Sequence, residues 1–128
     1  MKQEKCYHLF GQCFNQGDFS NLSKALREDA LYESHDFLYK IRGREKVIAT
    51  LNERVKAYTK GQVVACGGYY FKEMLTLKRL LPCVILYDIQ QKNVVRLITI
   101  GLRRGKIIAI TGLSPKDYTY TRGDIIEL

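Results

Sequence analysis

The sequence predicts an α+β fold: a strongly curved antiparallel or mixed β-sheet wrapped around three N-terminal helices, leaving a cone-shaped space between the layers. Two observations carry this. Apolar residues recur at three- and four-residue steps in the first half of the 128-residue chain, and β-rich segments divided by turn residues fill the second half. A glycine pair inside the first long β-rich segment, Gly67-Gly68, marks a bulge where such a sheet bends.

From Gln3 to Gln16, the residues Cys6, Tyr7, Phe10, Cys13 and Phe14 make one apolar helix face. Gly17 ends this helix, and Asp18 is placed to cap the next by accepting backbone N–H bonds. That short helix carries Phe19, Leu22, Leu26 and Ala30 on its inner stripe. Leu31–His35 and Leu38–Arg42 read as two brief strands joined by a turn near Asp36. A third helix runs from Arg44 to Thr59, with Val47, Ile48, Leu51, Val55 and Tyr58 on one side and Gly43 and Gly61 at its ends. Four strands come after it, in "QVVACGGYYFKEMLTL", "CVILYDIQQ", "VVRLITIGLR" and "KIIAITGL". Pro82 signals the turn before the second, "QQKN" the turn after it, and "RRGK" the turn before the last. The tail, "SPKDYTYTRGDIIEL", is amphipathic and either packs on the outside or continues the last strand. The chain reads as one domain, 1–128, with residues 114–128 peripheral.

An apolar fraction of 46% beside 27% charged residues belongs to a globular chain, long enough to bury a core without disulfides or metal. The net charge of +8 attracts acidic surfaces at low salt. The cations are scattered, however, in groups such as Arg42/Arg44/Lys46, Lys78/Arg79 and Arg103/Arg104/Lys106. Longer basic tracts and recognition motifs are absent, so nucleic acid is not the expected partner. Cys6, Cys13, Cys66 and Cys83 form no CxxC pair and no close Cys/His cluster. They are expected as buried, reduced thiols, with no metal and no cofactor. "MKQEKCYHLF" lacks the apolar stretch of a signal peptide, and "LLPCVILY" is too short to span a bilayer. A cytoplasmic location without a membrane partner is therefore expected.

The segments "CFNQGDFSNLSKALREDALYES" and "IRGREKVIATLN", succeeded by the four strands to Leu113, give the chain a recognisable order of elements. It resembles the nuclear transport factor 2-like superfamily of cystatin-like folds, which includes ketosteroid isomerase and the SnoaL-like polyketide cyclases. The resemblance implies the conical fold and a homodimer paired through the outer sheet face. It does not imply one activity, because this fold serves enzymes, ligand binders and interaction modules.

Ketosteroid isomerase chemistry needs a carboxylate base and two oxyanion donors, a tyrosine and a protonated aspartate. Matching "NQGD" to the isomerase pattern puts Phe10 at the donor tyrosine and Ser34 at the base. Aligning the "QQKN" turn puts Ile100 at the second donor. A general base supplies roughly 10²–10⁴ in rate and one oxyanion donor about 3 kcal/mol, so losing all three removes that reaction. Weak cyclase or dehydratase activity stays open.

Strand side chains alternate faces. If Ser34 points inward, Tyr32 does too, while Glu33 and His35 point away. The same parity turns Cys83, Ile85 and Tyr87 inward with Arg96, Ile98, Ile100 and Leu102, and leaves Asp88, Thr99 and Arg103 outside. The expected cone lining is thus Phe10, Phe14, Tyr32, Ser34, Leu51, Ile85, Tyr87, Arg96, Ile98 and Ile100. Apolar walls with few directed polar groups suit a small molecule. Arg96 must reach the cone mouth, pair with an acid or meet an anionic ligand. His35-Asp36 reads as a surface pair on a hairpin, and His8 has no evident acidic partner.

Two functions are compatible with this pattern. An open cone binds a small apolar or aromatic molecule. A filled cone makes a non-catalytic dimeric interaction module that docks through outward-facing Leu97, Thr99 and Gly101.

Overall fold

The first helix, α1, spans Gln3–Gln16 and buries Cys6, Tyr7, Phe10, Cys13 and Phe14 along one face, as their spacing dictates. Gly17 stops it in the left-handed conformation, at φ 79°. The N–H of Gly17 returns to Phe14 and that of Asp18 to Cys13, both at 3.1 Å, which satisfies the last carbonyls of the helix. The computed structural model describes residues 2–35, 39–74 and 77–122. The turn expected near Asp36 and the end of the tail lie outside these.

Asp18 caps the next element: its Oδ1 accepts from the Ser20 N–H at 2.9 Å. The capped element is a 3-10 stretch, Ser20–Ala25, and not a helix reaching Ala30. Leu26 and Ala30 belong instead to β1, Leu26–Ser34, where both are buried. A four-residue spacing returns to the same face in a strand as in a helix, so both structures satisfy the pattern. β2, Tyr39–Arg42, runs antiparallel to β1. The second α-helix, α2, covers Arg44–Val55. Its expected continuation to Thr59 tightens into two i→i+3 bonds, Ala57 to Arg54 and Tyr58 to Val55.

Four long strands come next: β3 (Val63–Met74), β4 (Leu77–Asp88), β5 (Asn93–Arg103) and β6 (Lys106–Leu113). The chain then crosses through a 3-10 turn, Pro115–Asp117, to β7, Thr119–Arg122. The sheet order is β2-β1-β6-β5-β4-β3-β7. β1 and β6 run parallel while the other pairs are antiparallel, so the sheet is mixed and open at β2 and β7. The tail does not extend β6; it forms a seventh strand on the far edge, against β3, and its Tyr118 and Tyr120 pack on the outer side of the sheet.

Pro82 does not begin a strand. It sits inside β4 opposite Tyr69, in the stretch that β5 does not reach, since β4–β5 pairing starts at Val84↔Ile98. Proline is tolerated where a strand has a free edge. Gly67-Gly68 makes no bulge either, because β3–β4 register runs unbroken from Val63↔Asp88 to Met74↔Leu77. The irregularities that bend the sheet fall between Leu86 and Tyr87, Gly101 and Leu102, and Leu26 and Leu31. Gly68 serves close approach instead: a Cβ there would stand 2.8 Å from the Thr121 carbonyl oxygen and strike the Ile85 side chain.

The main core lies between the helices and the inner sheet face and includes Phe10, Leu22, Leu26, Val47, Ile107 and Ile110. A second cluster on the outer face holds Tyr70, Cys83, Ile85, Leu97 and Leu113, with Tyr118 and Tyr120 of the tail packed against it. Tyr118 meets Tyr70 edge-on, with ring centroids 5.6 Å apart. Tyr7 ties α1 to the sheet. Its hydroxyl accepts from the Ile100 N–H at 3.1 Å and donates to the Ile100 carbonyl at 3.4 Å, two residues past the last β4–β5 pair. Among the described residues, no helix is long and apolar enough to cross a membrane.

Candidate functional site

A cavity of about 260 Å³ opens where the helices leave the inner sheet face. α1 supplies Phe10 and Phe14, and Phe19 stands just ahead of the 3-10 stretch. α2 and the turn after it supply Leu51, Arg54, Val55, Ala57 and Tyr58, and the sheet adds Tyr32, Leu86, Arg96 and Ile98. Ring pairs brace the walls: Phe10–Phe19 with centroids 5.1 Å apart, and Phe14–Tyr58 at 5.5 Å. The volume lies between the roughly 150 Å³ of an apolar cavity that holds benzene and the roughly 300 Å³ at which drug-sized sites begin.

One corner of this apolar cavity is polar. Arg96 Nη1 donates to Ser34 Oγ at 2.9 Å, and Ser34 is itself buried. The arginine lies along the sheet because Gly112 leaves it room: a Cβ at 112 would stand 3.1 Å from Nη1 and 3.3 Å from Cδ. Arg96 therefore stays in the cavity wall, half-buried. Arg54 comes from α2, its guanidinium 4.6 Å from the centroid of the Tyr39 ring, a cation–π distance. Tyr39 packs on Tyr32, with centroids 5.9 Å apart, and its buried hydroxyl has no hydrogen-bond partner among the described residues. Burial pushes the Tyr32 phenol above its ordinary pKa, Tyr39 adds to this, and the charges of Arg54 and Arg96 pull it back. Tyr32 thus sits within electrostatic reach of both guanidinium groups.

Of the ten residues expected in the cone, Phe10, Phe14, Tyr32, Leu51, Arg96 and Ile98 come together in this wall. Ser34 stands behind it as the acceptor for Arg96, and Ile100 lies in the closed core beside Tyr7. Ile85 and Tyr87 lie on the other face, as does Cys83, all belonging to the outer cluster. The reason is register. Val84 and Leu86 stand directly opposite Ile98 and Arg96, whereas Ile85 faces Leu97, and cross-strand partners share a face. Every residue of "CVILY" is apolar, so alternation gives no phase there, and a one-residue slip reverses every side chain. Leu97 is outward as expected but 0% exposed, covered within the outer cluster, so it offers no docking surface of its own.

The cavity residues absent from that expectation are Phe19, Arg54, Val55, Ala57, Tyr58 and Leu86. Arg54 lies three residues after Leu51, a same-face step on a helix, which was the available signal. Leu86 had none. His8 pairs with Gln12, at 2.9 Å, exposed His35 lies 3.6 Å from the Glu33 carboxylate, and neither histidine belongs to the described cavity lining. No cluster able to hold a metal ion occurs among the described residues.

The chain matches no family model and no curated protein. Solved structures share its fold. One is an NTF-2 like protein of unknown function from Burkholderia xenovorans LB400, 16% identical over 84% of this chain and 78% of that one, with a TM-score of 0.55. A cystatin-like domain of unknown function from Nostoc punctiforme PCC 73102 is 11% identical over 87% and 74%, with a TM-score of 0.59. A protein of the SnoaL-like family from Agrobacterium tumefaciens strain C58 is 12% identical over 88% and 96%, with a TM-score of 0.56. The chain has the nuclear transport factor 2-like fold; identities this low say nothing of activity.

Proposed function

We propose that this chain binds one small, largely apolar molecule in the mouth of its cone, without ketosteroid isomerase chemistry. The cavity carries the reading: about 260 Å³ walled by phenylalanines, leucines and Ile98, with Tyr32, Arg54 and Arg96 as directed polar groups. The position of the isomerase base holds Ser34, whose oxygen already accepts from Arg96. The described lining contains no carboxylate, histidine or lysine to take a proton near neutrality. Arg54, Arg96 and Tyr32 can orient a ligand or polarise a carbonyl. A reducing, cytoplasmic setting agrees with four free thiols.

Native mass spectrometry of gently purified protein tests this against the denatured mass. Extra mass that is lost on denaturation supports the reading and gives the ligand's size. Protein that stays unmodified, and takes up no compound from a panel of small aromatics, overturns it.

The proposal includes a homodimer paired through the outer sheet face. Half-buried Leu81, Tyr87 and Val94 surround buried Ile85 and Leu97 there, with half-exposed Thr99 beside them. Light scattering after gel filtration at micromolar concentration should give twice the chain mass, and a monomer would rule the pairing out.

A further inference from the structure

We infer that the ligand is elongated: an unbranched or rod-like apolar molecule that starts in the cone cavity, passes Tyr58 and ends in a second chamber beside it. This rests on the proposed cavity ligand and goes further by naming its length and shape. The second chamber, of about 200 Å³, lies between the end of α1, the turn after α2 and the start of β3. Phe14, Val55 and Tyr58 line both spaces, so these three residues form the partition between them. Neither space alone reaches the roughly 300 Å³ at which drug-sized sites begin, and the two joined exceed it.

The partition is unevenly held. Phe14 and Val55 are buried on helices, whereas Tyr58 is half-buried in the turn after α2, where its N–H bonds back to Val55 at 3.2 Å. Its ring rests on Phe14, with centroids 5.5 Å apart. Tyr58 is therefore the member that can swing, and the ring contact it gives up is worth no more than burying two methylenes of a ligand. The chamber beyond suits an apolar end. Phe14, Val55 and Val63 wall it. The Asn15 amide is turned to the Ala65 backbone, accepting from its N–H at 2.8 Å and donating to its carbonyl at 3.3 Å. Exposed Thr59, Lys60 and Gly61 form the rim.

The test is calorimetric titration of the full chain with the linear alcohols octanol, decanol and dodecanol. The inference expects affinity to keep rising along the series, by about ten-fold for each two carbons, as buried methylenes dictate. Val63→Phe, at a buried position of the second chamber, fills that chamber and should erase the gain of dodecanol over octanol. Because a larger side chain there can strain the core, Thr59→Trp at the exposed rim is an independent block and should do the same. Tyr58→Ala takes the ring out of the lane and should keep the gain. Affinity that levels off at octanol in the wild type would overturn the second chamber while leaving the cavity reading intact. A gain that survives in both blocking variants, or is lost in Tyr58→Ala, would overturn the route past Tyr58. Binding of none of the alcohols would remove the cavity reading and the elongated ligand with it.

Discussion

Replacing Tyr7 by Phe removes one oxygen atom and leaves the ring. Tyr7 is 2% exposed, so the phenyl contacts survive and the change falls on the Ile100 amide. That N–H loses its 3.1 Å acceptor in a place water does not reach. A buried donor left unsatisfied costs about 1–3 kcal/mol. The 3.4 Å bond to the carbonyl is near the limit of useful geometry and adds little. Taking about 2 kcal/mol, and about 3–5 °C per kcal/mol for a domain of this size, the midpoint should fall by about 6–10 °C. Thermal unfolding tracked by circular dichroism reads this directly. Urea titration should show a lower midpoint at unchanged slope. A shift under about 1 °C would refute the idea that this phenol anchors β5 where β4 leaves it. Tyr7 is not part of the cavity wall, so ligand affinity should hold.

Three further expectations can be checked separately. Gly68→Ala drives a Cβ to within 2.8 Å of the Thr121 carbonyl, so β7 must shift. The cost should be about 1–3 kcal/mol, with faster tryptic cleavage at Lys116, and unchanged stability and cleavage would contradict the close-approach account. Burial pushes the thiols of Cys6 and Cys83 up to about 12 and that of Cys13 to about 11, from 9.0. Each folded value lies above the unfolded one, so this stability is fully present below about pH 9 and is lost as pH rises through the folded values. The slope should be about 1.4 kcal/mol per pH unit per thiol, seen as falling urea midpoints; a flat profile through about pH 10.5 would exclude it. Ala57→Trp, at an exposed position of the cavity rim, should close the mouth while changing stability by no more than about 0.5 kcal/mol, and retained binding of a small aromatic compound in calorimetric titration would show that the mouth lies elsewhere.

Where local chemistry is sufficient, the sequence alone determined the structure. Gly17 and Asp18 specify the end of α1 and the cap after it, because one supplies left-handed backbone and the other a short acceptor. The spacing of Phe10, Phe14 and Leu51 specifies the helix faces that meet in the cone. Tyr32 and Ser34 are buried while Glu33 and His35 are not, because alternate positions of a strand share a face and fixing one fixes its neighbours. Tertiary structure decided the remainder. The apolar run in β4 carries no phase, so only the pairing of Val84 with Ile98 turns Leu86 inward and Ile85 outward. Gly112 and Arg96 lie 16 positions apart, and nothing local joins them; their contact exists because β5 and β6 pair at Ile98↔Gly112. The hold of Tyr7 on Ile100 spans 93 positions, and β7 reaches its edge only by crossing to β3. Periodicity reports which face of an element is buried, whereas a binding site depends on which elements meet, and that is set by pairing between residues distant in the chain.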